Sequence, residues 1–205
     1  MIPAALGFRA HSGWTALVAV SLEKDGPRVL LRQRPHLVET FTYEFRQPYH
    51  TAESKPLEKA REFVSRMESE AKCLAEEAIR SVQADLRKQG YRLTSFGLLR
   101  GLGKPLPSLD KILSSHALIH AADGELFREG LIHGGRRCRL AAFTIPERDL
   151  LPVASKTLRT KEADLIARVA ALGKPLGAPW SQDEKFAVLA AWLALVSRRG
   201  TSGPR

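Results

Sequence analysis

The sequence predicts an α/β domain whose central sheet is mixed, with three antiparallel strands first, parallel strands after them, and helices flanking the sheet. Three observations carry this reading. Residues 4–34 read as three strand-like runs joined by tight turns. From Ser54 the apolar spacing changes to every third or fourth residue and keeps that period as far as Leu86. Further on, the run from Leu140 to Ile145 is short, apolar and stopped by Pro146, which suits a buried parallel strand.

Taken in order, residues 4–9 form the first strand, and Ala10, His11, Ser12 and Gly13 form a tight connection to a second strand over 14–22. Asp25-Gly26 supplies hairpin chemistry before a third strand over 28–34. Residues 40–53 are aromatic and polar without a period and read as a loop. Leu57, Ala60, Val64, Met67, Ala71, Leu74, Ala78, Val82 and Leu86 mark one face of a long helix that Gly90 closes. A strand over 91–99 follows. The Gly/Pro-rich loop 101–107 then leads to a Ser108 cap and a second long helix over 109–132. After the 140–145 strand come short helices over 148–158 and 161–172 and a loop over 173–180. The last helix opens on Ser181-Gln182-Asp183-Glu184, an S-x-x-E capping box. The expected organisation is one domain over 1–198, with a helical C-terminal extension from about residue 159 and a disordered tail over 199–205.

Composition bounds what such a chain can do. With 205 residues, 44% of them apolar, and only 12 Pro and 15 Gly, it supplies a core and excludes wholesale disorder. It has no 18-residue apolar run and no signal-peptide pattern, so no membrane partner is expected and the cytoplasm is the expected location. Cys73 and Cys138 stand apart without a CxxC or Cys/His ligand spacing, which points away from a disulfide framework and from structural zinc; no cofactor is expected. The net charge is +10, and after residue 90 the chain holds 18 of its 32 Lys and Arg but only 10 of its 22 Asp and Glu. Arg136, Arg137 and Arg139 are the densest part of that excess. Such a balance favours polyanionic partners, with DNA or RNA the expected class, and it also serves solubility alone.

The element order resembles the ribonuclease H-like superfold and, within it, the RuvC-type junction resolvases. Leu6 to Ser12 occupies the context of that family's first strand and turn, Ser115 to Ala122 is similar to its second helix, and Asp183 to Ala190 is similar to its acidic-headed, Ala/Leu-rich terminal helix. The resemblance implies two-metal phosphodiester hydrolysis by converging carboxylates. Here the chain departs from the pattern. Arg9 stands where the first strand of the family ends in a catalytic Asp, and the fourth strand ends in Arg100 where the family carries a Glu. Only Asp183 and Glu184 remain near the terminal helix, and the capping box accounts for both without chemistry. The expectation is a binding module without catalytic residues.

Two groups of residues are candidate sites. Arg9, His11, Ser12 and Trp14 surround the first turn, where backbone N–H groups and a guanidinium can receive a phosphate, and Trp14 can serve as core or as a stacking platform. Together with Arg136, Arg137 and Arg139 they form the expected ligand surface. On an uninterrupted 109–132 helix, His116 and His120 fall in the middle of the apolar stripe set by Leu109, Ile112, Leu113, Phe127 and Leu131, with Asp123 at its edge and Glu125 solvated on the other side. Two half-buried histidines satisfied in the core are one reading of that pattern. The other is a metal or acid/base site in which His116, His120, Asp123 and Asp183 serve a divergent hydrolase or nuclease. A structural subunit whose basic surface meets an acidic protein is a third reading of the chain. The stretch 97–104 lacks Walker A spacing, and Pro105 stands where Ser or Thr must bind magnesium.

Overall fold

The computed structural model describes residues 1–24, 26–101 and 105–200, with side chains as far as residue 197. The expectations placed on the 97–104 stretch beyond Gly101, on Asp25, and on residues 201–205 lie outside the described residues. Among the described residues five strands, β1 (Ile2–His11), β2 (Trp14–Glu23), β3 (Gly26–Gln33), β4 (Tyr91–Arg100) and β5 (Ala141–Pro146), form one sheet in the order β3-β2-β1-β4-β5. β1, β2 and β3 pair antiparallel, while β4 runs parallel to β1 and β5 parallel to β4. This is the mixed sheet that the hairpin-then-crossover pattern predicts.

Alternation along the strands gives each face of the sheet its own core. Leu6, Phe8, Leu17, Phe96 and Leu98 face the long helix α3 (Leu57–Lys88) and α5 (His116–Arg137). Ala5, Val18, Val20 and Leu99 face α6 (Leu150–Leu158), α7 (Glu162–Leu172) and α8 (Gln182–Gly200). α3 buries Ala60, Val64, Met67, Ala71, Val82 and Leu86 as its period requires. Its Ala71 and Ala75 meet Gly130 and Gly134 of α5, where a Cβ on Gly134 would stand 2.8 Å from the backbone of α3. On the other face, Gly7 and Gly97 are register partners on β1 and β4. A Cβ at Gly7 would stand 1.8 Å from the Ala187 carbonyl oxygen, and one at Gly97 2.1 Å from that of Ala190. The backbone of α8 therefore rests directly on the sheet, which fixes where the first turn of α8 stands against β1.

Three expectations need correction. Residues 40–53 hold two short helices, α1 (Tyr43–Arg46) and α2 (Pro48–Glu53), the second with Pro48 in its first turn. The helix expected over 109–132 is broken at Ser114 and Ser115 into α4 (Leu109–Leu113) and α5, which resets the phase of everything after the break. The run at 140–145 makes an edge strand whose Ala141, Ala142 and Thr144 are exposed, so it is apolar without being buried on both faces. Among the described residues no helix is long and apolar enough to cross a membrane.

Candidate functional site

The C-terminal ends of the parallel strands carry the residues of interest. Counting from Gly7, which faces α8, alternation turns Arg9 and His11 toward the same helix. The capping box of α8 forms as the sequence implies: the Ser181 N–H donates to Glu184 Oε2 at 2.8 Å and the Asp183 N–H donates to Ser181 Oγ at 3.1 Å. With α8 seated on the two glycines, its opening carboxylates come up against the end of β1.

The side chain of Arg9 fills that place. It is 20% exposed, donates from Nε and Nη2 to the two carboxylate oxygens of Glu147 at 3.0 and 2.7 Å, and donates from Nη1 to Asp183 Oδ1. The same Asp183 oxygen lies 2.8 Å from His11 Nε2. Glu184 is bound in turn by Arg34, whose Nε donates to Oε1 at 2.8 Å. Burial pushes the Asp183 carboxyl up, but the hydrogen bonds and charges of His11 and Arg9 outweigh it and leave the group below its ordinary value. Glu184 behaves alike: burial raises it, and Ser181 and Arg34 bring it below its ordinary value.

The end of β4 repeats the arrangement. Arg100 donates to Glu125, and at 3.1 Å to Glu129. Glu125, expected to be solvated, is an ion-pair partner of Arg100 and, at 3.4 Å, of Arg128. Arginine thus occupies both strand ends where the resemblance puts carboxylates, and each arginine is neutralised by acids from elsewhere in the chain. A divalent cation does not fit this donor set. The guanidinium of Arg9 takes up the carboxylates that would hold it, and a second positive charge beside it would be repelled.

The other sequence candidates are dispersed. Ser12 lends its carbonyl to Arg46 Nε at 3.2 Å, so the α1 segment covers the first turn. Trp14 is half-buried between the His11 ring, stacked at 4.3 Å, and the Arg34 guanidinium at 5.0 Å. The first turn therefore has its charges and rings satisfied from within. Arg136, Arg137 and Arg139 lie at the opposite end of the sheet, where α5 leads into the start of β5, and do not join Arg9 in one surface. There Arg80, Arg87, Arg92, Arg137 and Arg139 line a groove of about 660 Å³ that also contains Tyr91 and Cys138 and no acidic side chain. Arg80 and Arg137 pair with Glu76; Arg87, Arg92 and Arg139 form no ion pair among the described residues.

His116 and His120 are exposed although they share the helical phase of Phe127: they stand at the start of α5, ahead of the part that Ile119, Ala122, Leu126 and Phe127 bury, and the ring packed against them is that of His50. Asp123 is buried, and it accepts from the Tyr49 N–H at 2.7 Å and pairs with His50 Nδ1 at 2.5 Å. Asp183 lies across the sheet from all three, on the α8 face, so the four residues do not form one site. Reasoning from sequence missed His50, Glu147 and the Arg100 pair. One available signal was Asp123 itself, since a carboxylate set among apolar positions requires a buried partner.

No protein-family model and no curated protein sequence matches the chain. Solved structures do. The RuvC of Thermus thermophilus in complex with a Holliday junction substrate superposes with a TM-score of 0.56 over 98% of this chain and 97% of that one, at 11% identity. A second Thermus thermophilus RuvC structure gives 0.54 over 97% of each chain, at 9% identity. The chain has a ribonuclease H-like fold. Its likeness to RuvC extends over nearly its whole length, so Arg9 and Arg100 stand at the ends of β1 and β4 of a ribonuclease H-like sheet.

Proposed function

We propose that this protein is a ribonuclease H-like module that binds nucleic acid without cleaving it. The observation that carries the proposal is the guanidinium of Arg9 held between Glu147 and Asp183 at the end of β1. Hydrolysis on this fold needs carboxylates free to hold cations, and the carboxylates here are engaged by arginine. The RuvC neighbour is in complex with a Holliday junction, which supports DNA as the partner class. The +10 balance of the chain supports any polyanion.

Of the ligand surface expected from sequence, the part around Arg137 and Arg139, which the structure extends into a groove with Arg87 and Arg92, is better suited to phosphates than the first turn. Among the described residues Arg87, Arg92 and Arg139 have no carboxylate partner, whereas Arg9 and His11 do. The test is fluorescence anisotropy with labelled single-stranded, duplex and branched DNA and with RNA over a salt series, alongside incubation of the same substrates with magnesium or manganese. The expected result is salt-dependent binding and intact substrate. Replacing Arg87, Arg92 and Arg139 by Gln should lower the salt slope by about one unit for each phosphate no longer neutralised. Affinity no better than millimolar, or binding without a salt slope, overturns the binding reading; cleavage overturns the non-catalytic one.

A further inference from the structure

On the α3/α5 face of the sheet, three imidazoles from two elements meet at the surface. One ring nitrogen of each of His50, His116 and His120 lies within 4.8 Å of the others. His116 and His120 are one turn apart at the start of α5, and their Nε2 atoms are 3.0 Å apart. The His50 ring meets them edge-on, its centroid 5.3 Å from that of His116 and 4.4 Å from that of His120. Nothing in the packing asks for this: the two α5 rings are exposed, and no acidic group touches either of them among the described residues.

The third ring is positioned differently. His50 is nearly buried, and its Nδ1 is bound by Asp123, whose other oxygen takes the Tyr49 N–H of the same short helix. With Nδ1 carrying the proton for Asp123, Nε2 is left with the free lone pair. A buried carboxylate that fixes the tautomer and orientation of an imidazole is the usual outer support of a histidine ligand to a metal. From this geometry we infer that His50, His116 and His120 form a three-histidine site for a zinc-type divalent ion, with Asp123 as the positioning residue.

The chemistry of the donors selects the ion. Neutral imidazoles suit zinc and its transition-metal neighbours, whereas magnesium prefers oxygen. Tetrahedral coordination at a Zn–N distance of about 2.05 Å sets ligand nitrogens about 3.3 Å apart, close to the present 3.0 Å separation on α5, with the third ring's nitrogen within 4.8 Å of both. Three protein ligands leave one position open. His120 borders a groove that also holds Arg100, Glu125 and Arg128, so that position faces solvent and takes water or an anionic oxygen. The site is independent of the proposed nucleic-acid reading: it uses neither Arg9 nor the arginine groove.

The test uses the full chain, stripped with a chelator and dialysed against zinc or magnesium. One zinc per chain is expected, with a melting temperature that rises by about 5–10 °C at a hundredfold excess over the Kd and does not respond to magnesium. Cobalt in place of zinc should give the intense visible bands of a four-coordinate ion. A His116→Ala/His120→Ala variant, altered only at exposed rings, should melt like the parent when metal-free and lose both the zinc shift and the cobalt bands. Failure to retain stoichiometric zinc, or an unchanged zinc shift in the variant, overturns the inference.

Discussion

Replacing Arg9 by alanine is expected to destabilise the protein by about 3 kcal/mol at neutral pH, and the loss should depend on pH. Asp183 is 16% exposed and loses one charge-assisted hydrogen bond while keeping His11, a cost of about 1.5–3 kcal/mol. Glu147 is 40% exposed, and its share of the pair is about 0–1 kcal/mol. The Arg9 guanidinium also sits 5.5 Å from the Phe186 ring, worth about 0.5–1 kcal/mol. For a chain of this size about 3 kcal/mol lowers the melting temperature by roughly 6–12 °C. The carboxyl of Asp183 lies below its ordinary value of 3.8 in the folded protein, so its contribution is present above that value and disappears as pH falls through the depressed one. The gap between parent and variant should therefore be widest near neutrality and close below about pH 4. Urea titrations at closely spaced pH values measure it directly. A gap under about 0.5 kcal/mol, or one that stays constant down to pH 3, would refute the view that Arg9 is the cation satisfying these acids.

Three further perturbations probe the scaffold and the site. Gly97→Ala forces a Cβ to within 2.1 Å of the Ala190 carbonyl oxygen, so α8 must lift from the sheet; a loss of at least about 3 kcal/mol is expected, and an unchanged melting temperature would contradict the direct seating of the helix. Val64→Asp puts an unpaired carboxylate on the buried stripe of α3, costing several kcal/mol by denaturant titration. Arg9→Asp removes the cation and adds a carboxylate beside Glu147 and Asp183. It should melt below Arg9→Ala and, unlike the parent, recover in magnesium or manganese; no metal response would show that these acids cannot converge on an ion.

The parts of the fold legible in the sequence are those where one local rule acts alone. Period-two runs meeting at His11-Ser12-Gly13-Trp14 give β1 and β2, the three-to-four spacing from Leu57 gives α3, and Ser181 with Glu184 marks the start of α8. The break at Ser114 and Ser115 is invisible to such a rule, because Ile112 and Leu113 on one side and Phe127 and Leu131 on the other fit a single helical phase by coincidence. His116 and His120 do share the phase of Phe127 and Leu131 within α5, but they stand at its start and are exposed, because phase alone does not say which turns a neighbour covers. Glu147 and His50 carry no local signal at all. Each matters through a partner 138 or 73 residues away, Arg9 for the one and Asp123 for the other, and such pairing is set by tertiary packing.

The geometry at the end of β1 also accounts for why arginine, among the cations available, suits the two acids there. Two carboxylates approach from different elements, Glu147 just after β5 and Asp183 at the head of α8, and the seat of α8 is fixed by backbone contacts at Gly7 and Gly97 that do not depend on residue 9. Without a cation they would repel each other beneath a half-buried surface. A planar guanidinium meets one of them in a two-point fork and still has an N–H for the other, which an ammonium, as a point charge on a flexible stem, does not hold in fixed geometry. Arg100 among Glu125 and Glu129 at the end of β4 follows the same logic. At both strand ends a guanidinium thus sits among acids supplied by other elements, whereas Arg87, Arg92 and Arg139 at the other end of the sheet line a groove and form no ion pair among the described residues.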